Sequence, residues 1–318
     1  MLLIDFGFII LGGLFLFGVI EDGIKIEQPK TTINWTKVQE AIGTKDFKLI
    51  NKEKTSTGYK LTFEVPQGEA TKILEDNIEV LEKAFRGNVI ITDIPFSNLC
   101  EVIIIRDPVG ELQYNSIKLP GTQLLIGYDY QGDPIIADML ETPHLLLTGL
   151  SGNGKTGMIR VAIKNLIESN SADIMLLNGF MDDYKGFKIN HIINHDSIKE
   201  YIEELLERIE EGIKRDKPLY VVFEELGKIK DKELINLTTK LLQYGRHNKI
   251  YLIGIIQTAT KEELKFKSLF NARCTFKQLE ESSYRVVLGC SIEEKLKKRE
   301  FYLFTDDLYK GRTYRLDF

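Results

Sequence analysis

Residues 149–156 read Gly-Leu-Ser-Gly-Asn-Gly-Lys-Thr, and no other stretch constrains the fold of this chain as tightly. An apolar run, HLLLTG, enters the loop, and an amphipathic run, MIRVAIKNLI, leaves it. Glycines at fixed spacing let the backbone wrap closely, so that its N–H groups converge on one point. A helix starting at the same place adds the favourable field of its N-terminus. The strand–loop–helix arrangement is a phosphate cradle, formed here by Gly149, Leu150, Ser151, Gly152, Asn153 and Gly154, with Lys155 reaching the β- and γ-phosphates and Thr156 offering its hydroxyl to magnesium. The expected ligands are ATP and Mg2+.

The rest of the second half fits that reading. Three more apolar runs, DIMLLNG, LYVVFEE and IYLIGIIQ, alternate with helical patterns at about 157–169, 197–214 and 231–246. In the middle helix Ile198, Ile202, Leu205, Leu206, Ile209 and Ile213 recur at helical spacing. Strands apolar on both faces and separated by helices imply a layered α/β fold with a parallel sheet. The run Leu219–Phe223 ends in Glu224-Glu225. Glu224 is placed to hold the metal, and Glu225 to take the proton of the attacking water. The alternative for such a pair is a helix start, where negative charge is favoured. The run Ile250–Ile256 ends in Gln257-Thr258, which puts Gln257 near the γ-phosphate or its water, or makes it a simple strand cap. A cation for the transition state is missing from this set. Arg273 is the first candidate, supplied from a neighbouring chain, with Arg246 and Arg285 behind it and a solvated surface arginine as the plain alternative. Near the end a helix around Ser282–Leu288 and the strands FYLF and TYRLDF are expected.

The first half is different. Phe6 to Ile20 carries no charge, and the first twenty residues contain only Asp5. About 20 apolar residues span the hydrocarbon layer, so residues 1–20 are expected to form a single transmembrane anchor; a buried or interfacial helix is the alternative. No Lys or Arg precedes the run and no small-residue cleavage site follows, unlike a signal peptide. Residues 21–57 read as a linker with a short helix near Trp35–Ile42. Residues 58–120 read as a small α+β domain: a strand at GYKLTFEV, a helix over 70–86, and strands at 88–94 and 100–106. Residues 121–318 form the α/β domain. The 318 residues accommodate two domains. A net charge of -5 excludes a polybasic binder as a description of the whole chain but leaves room for a local basic lining. Three cysteines without metal spacing and four scattered histidines argue against a disulfide scaffold, a zinc deaminase and a histidine-rich metal enzyme.

Beyond the generic loop, several stretches resemble the motor of FtsK/SpoIIIE-type DNA translocases. In LLIGYDYQGDPIIADMLETPHLLLTGLSGNGK, over 124–155, the matching features are Gly127, Asp129, Gly132, Asp138, Pro143, His144, Leu145 and Leu146. LLQYGRHNKIYLIGIIQTAT and FNARCTFKQLEESSYRVVLG are similar to the family's Gly-Arg helix, its Ala-Thr-Gln strand, and its arginine-bearing strand with the helix after it. GRTYRLDF looks like its terminal strand, and 58–106 like the small domain before the motor. The resemblance implies a P-loop NTPase motor domain of RecA-like, HerA/FtsK type, hydrolysing ATP to move DNA through a homohexameric ring. Three departures stand out. Glu224-Glu225 replaces the usual Asp-Glu, Asn178-Gly-Phe replaces an Asp-Pro-Lys turn, and neither several membrane segments nor the DNA-orienting winged-helix module is visible. The layout is similar to the short FtsK-like coupling proteins of Gram-positive conjugative elements, which implies a cell-membrane location with a cytoplasmic motor and a relaxase or other DNA-processing protein as partner. DNA would meet a local lining, for which Lys185, Lys188, Lys228, Lys230, Lys232 and Lys240 are candidates. A non-pumping adaptor ATPase at the membrane and a protein-secretion motor of similar fold are the competing readings, and DNA-stimulated hydrolysis separates them.

Overall fold

The computed structural model describes residues 24–26, 31–257, 260, 264–290, 292 and 296–316. The chain divides into two compact units, residues 1–110 and 111–318. The expected membrane anchor, residues 1–20, lies outside the described residues. Among those described, no helix is long and apolar enough to cross a membrane.

In the first unit β1 (Ile24–Ile26) and β2 (Thr31–Ile33) pair antiparallel. Next come α1 (Trp35–Ala41), β3 (Lys48–Lys54), β4 (Gly58–Glu64), α2 (Lys72–Glu75), α3 (Ile78–Phe85), β5 (Asn88–Asp93) and β6 (Leu99–Ile105). The last four strands make an antiparallel sheet in the order β3-β4-β6-β5. In β4, Tyr59, Leu61 and Phe63 alternate inward and are buried, as the sequence pattern requires. The linker expected over 21–57 is corrected here. Trp35 packs on Phe63 at 4.7 Å and on Phe85 at 6.0 Å between ring centroids, and its Nε1 donates to the Phe47 carbonyl at 2.8 Å. Gln39 Oε1 accepts from the Phe47 N–H at 2.7 Å. This stretch is therefore core of the small unit. Strand β3 escapes the sequence because KLINKEK is an edge strand with charged side chains in solvent, the usual protection of a sheet edge.

The second unit is built on one ten-stranded sheet. Its elements are β7 (Gln123–Tyr128), β8 (Pro134–Asp138), β9 (Leu145–Thr148), α4 (Lys155–Glu168), β10 (Asp173–Leu177), β11 (Asn190–Ile192), α5 (His195–Glu210), β12 (Leu219–Phe223), α6 (Lys232–Tyr244), β13 (Ile250–Ile256), β14 (Ala272–Thr275), α7 (Glu281–Leu288), β15 (Glu300–Phe304) and β16 (Leu308–Arg312). The strand order is β11-β10-β12-β13-β9-β14-β15-β16-β7-β8. The first six strands run parallel and the other four are antiparallel. The double-sided apolar runs now have their reason. Val221 and Phe223 face the core under α5 and α6, while Tyr220 and Val222 face the core under α4. Asn194 caps α5 and Asp231 caps α6, each side chain accepting two backbone N–H groups. Lys199 on α5 bonds Asp231 at 2.8 Å and so ties the two helices.

Three boundaries move. Residues 111–120 belong to the larger unit: Leu112 N–H donates to Tyr128 Oη at 3.0 Å, and Ile117 N–H to Asn165 Oδ1 at 2.9 Å. Helix α5 stops at Glu210, because Gly212 takes φ 71°, and Ile213 is left exposed. The last strand among the described residues is LYKGR, and of the strand expected at TYRLDF, whose last two residues lie outside those described, Arg315 makes an isolated parallel bridge with Gln113. The β7–β8 hairpin is not among the expected strands; its turn is held by Asp129 Oδ1, accepting from Gln131 N–H at 2.8 Å and Asp133 N–H at 2.9 Å.

Candidate nucleotide-binding site

The parallel strands end abreast. Leu177, Phe223 and Gly254 are in register across β10, β12 and β13, and Ile256 pairs with Thr148 at the end of β9. The crevice beyond the carboxyl ends of such strands is where open α/β sheets bind ligands. Here it is a cleft of about 420 Å³ that brings together Ser151, Gly152, Gly154, Lys155, Thr156, Asn178, Glu224, Glu225 and Gln257. Residues spread over more than a hundred positions meet because their strands are neighbours.

The loop follows β9 and runs into α4. Its shape depends on glycine at two points. Gly149 has φ 133°, and a Cβ there would stand 2.7 Å from Phe276 Cβ; Gly154 has φ 122°, and a Cβ would stand 2.8 Å from the Phe276 ring. Phe276, fully buried at the end of β14, is the wall against which the loop folds. Behind it lies a satisfied polar layer. Thr148 and Thr275 hydroxyls are 2.9 Å apart, and Gln278 Nε2 donates to them at 3.1 and 2.9 Å.

Lys155 lies across the loop, its Nζ donating to the Gly149 carbonyl and, at 3.0 Å, to that of Leu150. Burial lowers its pKa, and the nearby Glu224 carboxylate opposes that effect. Burial pushes the Glu224 carboxyl above the usual range, opposed by a hydrogen bond from Tyr184 and reinforced by Asp183. The Tyr184 Oη to Glu224 Oε1 distance is 2.5 Å. Asn178 stands in the left-handed region at φ 57° and its Nδ2 donates to the Glu224 carbonyl at 3.1 Å, so the substituted turn clamps Glu224. Glu225 is itself left-handed, at φ 54°. Such backbone is costly outside glycine and concentrates at functional positions. Its Oε1 accepts from Gln257 Nε2 at 3.0 Å and from Lys228 Nζ at 2.7 Å. The pair is therefore a strand terminus in the cleft, not a helix start: a three-residue 3-10 turn follows, and α6 begins only at Lys232.

The arginines are elsewhere. Arg273 sits in β14 opposite Leu146, two residues short of the loop, with its Nε donating to the Phe270 carbonyl at 3.1 Å and its guanidinium 5.9 Å from the Phe304 ring. Arg246 lies in the 3-10 turn before β13, at the other end of the parallel strands, and Arg285 is exposed on α7. None of the three lines the cleft. The six candidate lysines are all exposed. Lys185, Lys228 and Lys230 follow the carboxyl ends of β10 and β12. Lys188 instead lines a separate cavity of about 520 Å³ with Asp173, Tyr201 and Arg215, near the start of β10. Sequence reasoning missed Tyr184, Phe276 and Gln278. A buried aromatic in a polar loop was the only available signal for the first, and nothing local marked the other two.

His144, the residue after Pro143, has a structural role. It is buried in the left-handed region at φ 66°, and its Nδ1 accepts the Leu252 N–H at 2.9 Å. The neutral ring thus docks β9 against β13.

A family model described as Poxvirus A32 protein matches residues 137–303, just over half of the chain, spanning the loop, both acids, Gln257 and Arg273. The chain belongs to that family. Two similar proteins place this A32-family member with the FtsK/SpoIIIE type. DNA translocase FtsK of Pseudomonas putida is 26% identical over 162 residues, 51% of this chain and 18% of its own length. DNA translocase FtsK of Borreliella burgdorferi is 23% identical over 252 residues, 65% of this chain and 31% of its own length. The chain thus spans less than a third of either relative. Among solved structures, the pCW3 conjugation coupling protein TcpA, a monomer form with ATPγS, superposes with a TM-score of 0.60 at 15% identity, covering 89% of this chain and 94% of that one. The cytoplasmic domain of the type VII secretion ATPase EccC of Thermomonospora curvata gives 0.55 at 16%, covering 84% and 34%. These likenesses establish the P-loop NTPase fold.

Proposed function

We propose that this chain is an ATP-hydrolysing motor that moves DNA as a homohexameric ring, anchored in the cell membrane by residues 1–20 with the motor in the cytoplasm. The carrying observation is the cleft that joins the 149–156 loop to Glu224, Glu225 and Gln257. In it the loop N–H groups and Lys155 bind and orient the phosphates. Glu225, held between Gln257 and Lys228, accepts the proton of the attacking water. Gln257 fixes that water relative to the γ-phosphate.

The donors suit magnesium. Thr156 Oγ1 and Glu224 Oε2 are hard oxygens that bond no other described residue. Nucleotide and water would complete the shell. The cation would neutralise charge developing between the β- and γ-oxygens.

The DNA reading draws on the FtsK relatives and on the exposed Lys185, Lys228 and Lys230, of which Lys228 bonds Glu225 of the cleft; transfer of DNA at a membrane channel, with a relaxase or similar partner, draws on the likeness to TcpA. Purified full-length protein should hydrolyse ATP faster with DNA present, the stimulation falling as salt rises. Glu225→Gln should keep nucleotide affinity and lose at least 100-fold in turnover, on the order of a general base's contribution. Hydrolysis indifferent to DNA would turn the assignment toward an adaptor or a protein-secretion motor. Carbonate-washed membranes should retain the full chain, and its release into the wash would remove the anchor.

A further inference from the structure

Glu224 is one methylene longer than the aspartate the FtsK type carries at this point, and a longer arm has one more torsion to immobilise before it can present an oxygen at a fixed place. The structure supplies the immobilising group. Tyr184 ends the 3-10 turn Met181–Tyr184 in the connection from β10 to β11 and is fully buried under the sheet face that carries Tyr220 and Val222. Its Oη donates to Glu224 Oε1 at 2.5 Å, while Oε2 bonds no described residue. From the other side, Asn178 Nδ2 holds the Glu224 carbonyl. The carboxylate is thus fixed at its backbone and at one oxygen, and the other oxygen is left to ligate.

We propose that Tyr184 is a positioning residue that makes a glutamate competent at the metal position, by pinning Oε1 so that Oε2 alone is presented to the cation. This rests on the assignment of the cleft as a Mg-nucleotide site. A phenol is long enough to reach the carboxylate of a glutamate here, and shortening the acid by one methylene withdraws that oxygen from it. The hydroxyl and the extra methylene are therefore expected to act as one unit.

The test is a double-mutant comparison on the full chain, using Mn2+ as the probe and a non-hydrolysable ATP analogue. Mn2+ affinity is read by electron paramagnetic resonance, and analogue affinity is read with and without metal. Tyr184→Phe should leave metal-free analogue affinity and the thermal midpoint near the parental values and weaken Mn2+ binding about tenfold, the lower range for outer-shell partners of a metal. In the Glu224→Asp background, the same change should alter Mn2+ affinity less than twofold. Equal losses in both backgrounds, or no loss in the parental one, would overturn the proposal. If the parental chain binds the analogue without any metal dependence, the cleft assignment fails together with it. If binding is metal-dependent but no ATP is hydrolysed, the motor reading alone fails and the Tyr184 comparison still decides this point.

Discussion

His144 shows how a single side chain can look functional in the sequence and act in the architecture. Burial lowers its pKa from 6.5 to about 4, opposed by the Leu242 backbone and helped by a smaller push from Arg246. The unfolded chain therefore binds a proton between these values that the folded chain does not. Stability from this group is fully present above pH 6.5 and is lost as pH falls toward 4, by up to about 3 kcal/mol. His144→Asn offers an amide oxygen to the Leu252 N–H and tolerates the left-handed backbone. Between pH 7 and pH 5, urea unfolding of the variant should lose about 2 kcal/mol less than that of the parental protein. Identical losses in the two proteins would show that His144 does not titrate this way.

At the scale of the element, the phosphate loop is not autonomous. Its sequence permits the wrap, but Phe276, the residue after β14, is the surface that forces it, and the Thr148–Thr275–Gln278 layer fixes the two strand ends beneath it. Gly154→Ala should both strain the φ 122° backbone and collide with the Phe276 ring, at a cost of about 1–3 kcal/mol. The expected outcome is a lowered thermal midpoint and at least a tenfold loss of nucleotide affinity. The pairing of Gly154→Ala with Phe276→Leu tests the collision itself. Recovery of part of the midpoint locates the strain at the ring, while no recovery assigns it to the backbone alone.

For the whole molecule, the decisive point is where Arg273 lies. It belongs to the strand beside the loop, yet below it and pointed at Phe304, and among the described residues no arginine lines its own nucleotide cleft. In a ring the cation would come from the adjacent subunit. Arg273→Ala should keep ATP binding and ring size while losing on the order of 10³-fold in hydrolysis. Mixing it with Lys155→Ala protein, also inactive alone, should restore part of the activity at seams that combine an intact Lys155 with an intact Arg273. Full activity of Arg273→Ala by itself would remove this residue and direct attention to Arg246.

What the sequence determined by itself is whatever short-range chemistry encodes. The glycine spacing of 149–156, the period of Ile198–Leu206, the double-sided apolar strands and the alternation in β4 each name their element without help from distant residues. Lys155, Thr156, Glu224, Glu225 and Gln257 were legible because each stands at a strand end or loop whose type is written locally. Other features were decided only by the tertiary structure. Trp35 reads as linker until Phe63 and Phe85 close over it, and KLINKEK shows no strand pattern because an edge strand buries little. Phe276 and Gln278 carry no local mark and Tyr184 only that of an aromatic in a polar loop, since their roles exist only after β10, β12, β9 and β14 are set side by side. Strand order is a non-local choice: it is fixed by which faces bury against which helices, and no window of sequence contains both partners of the contacts it creates.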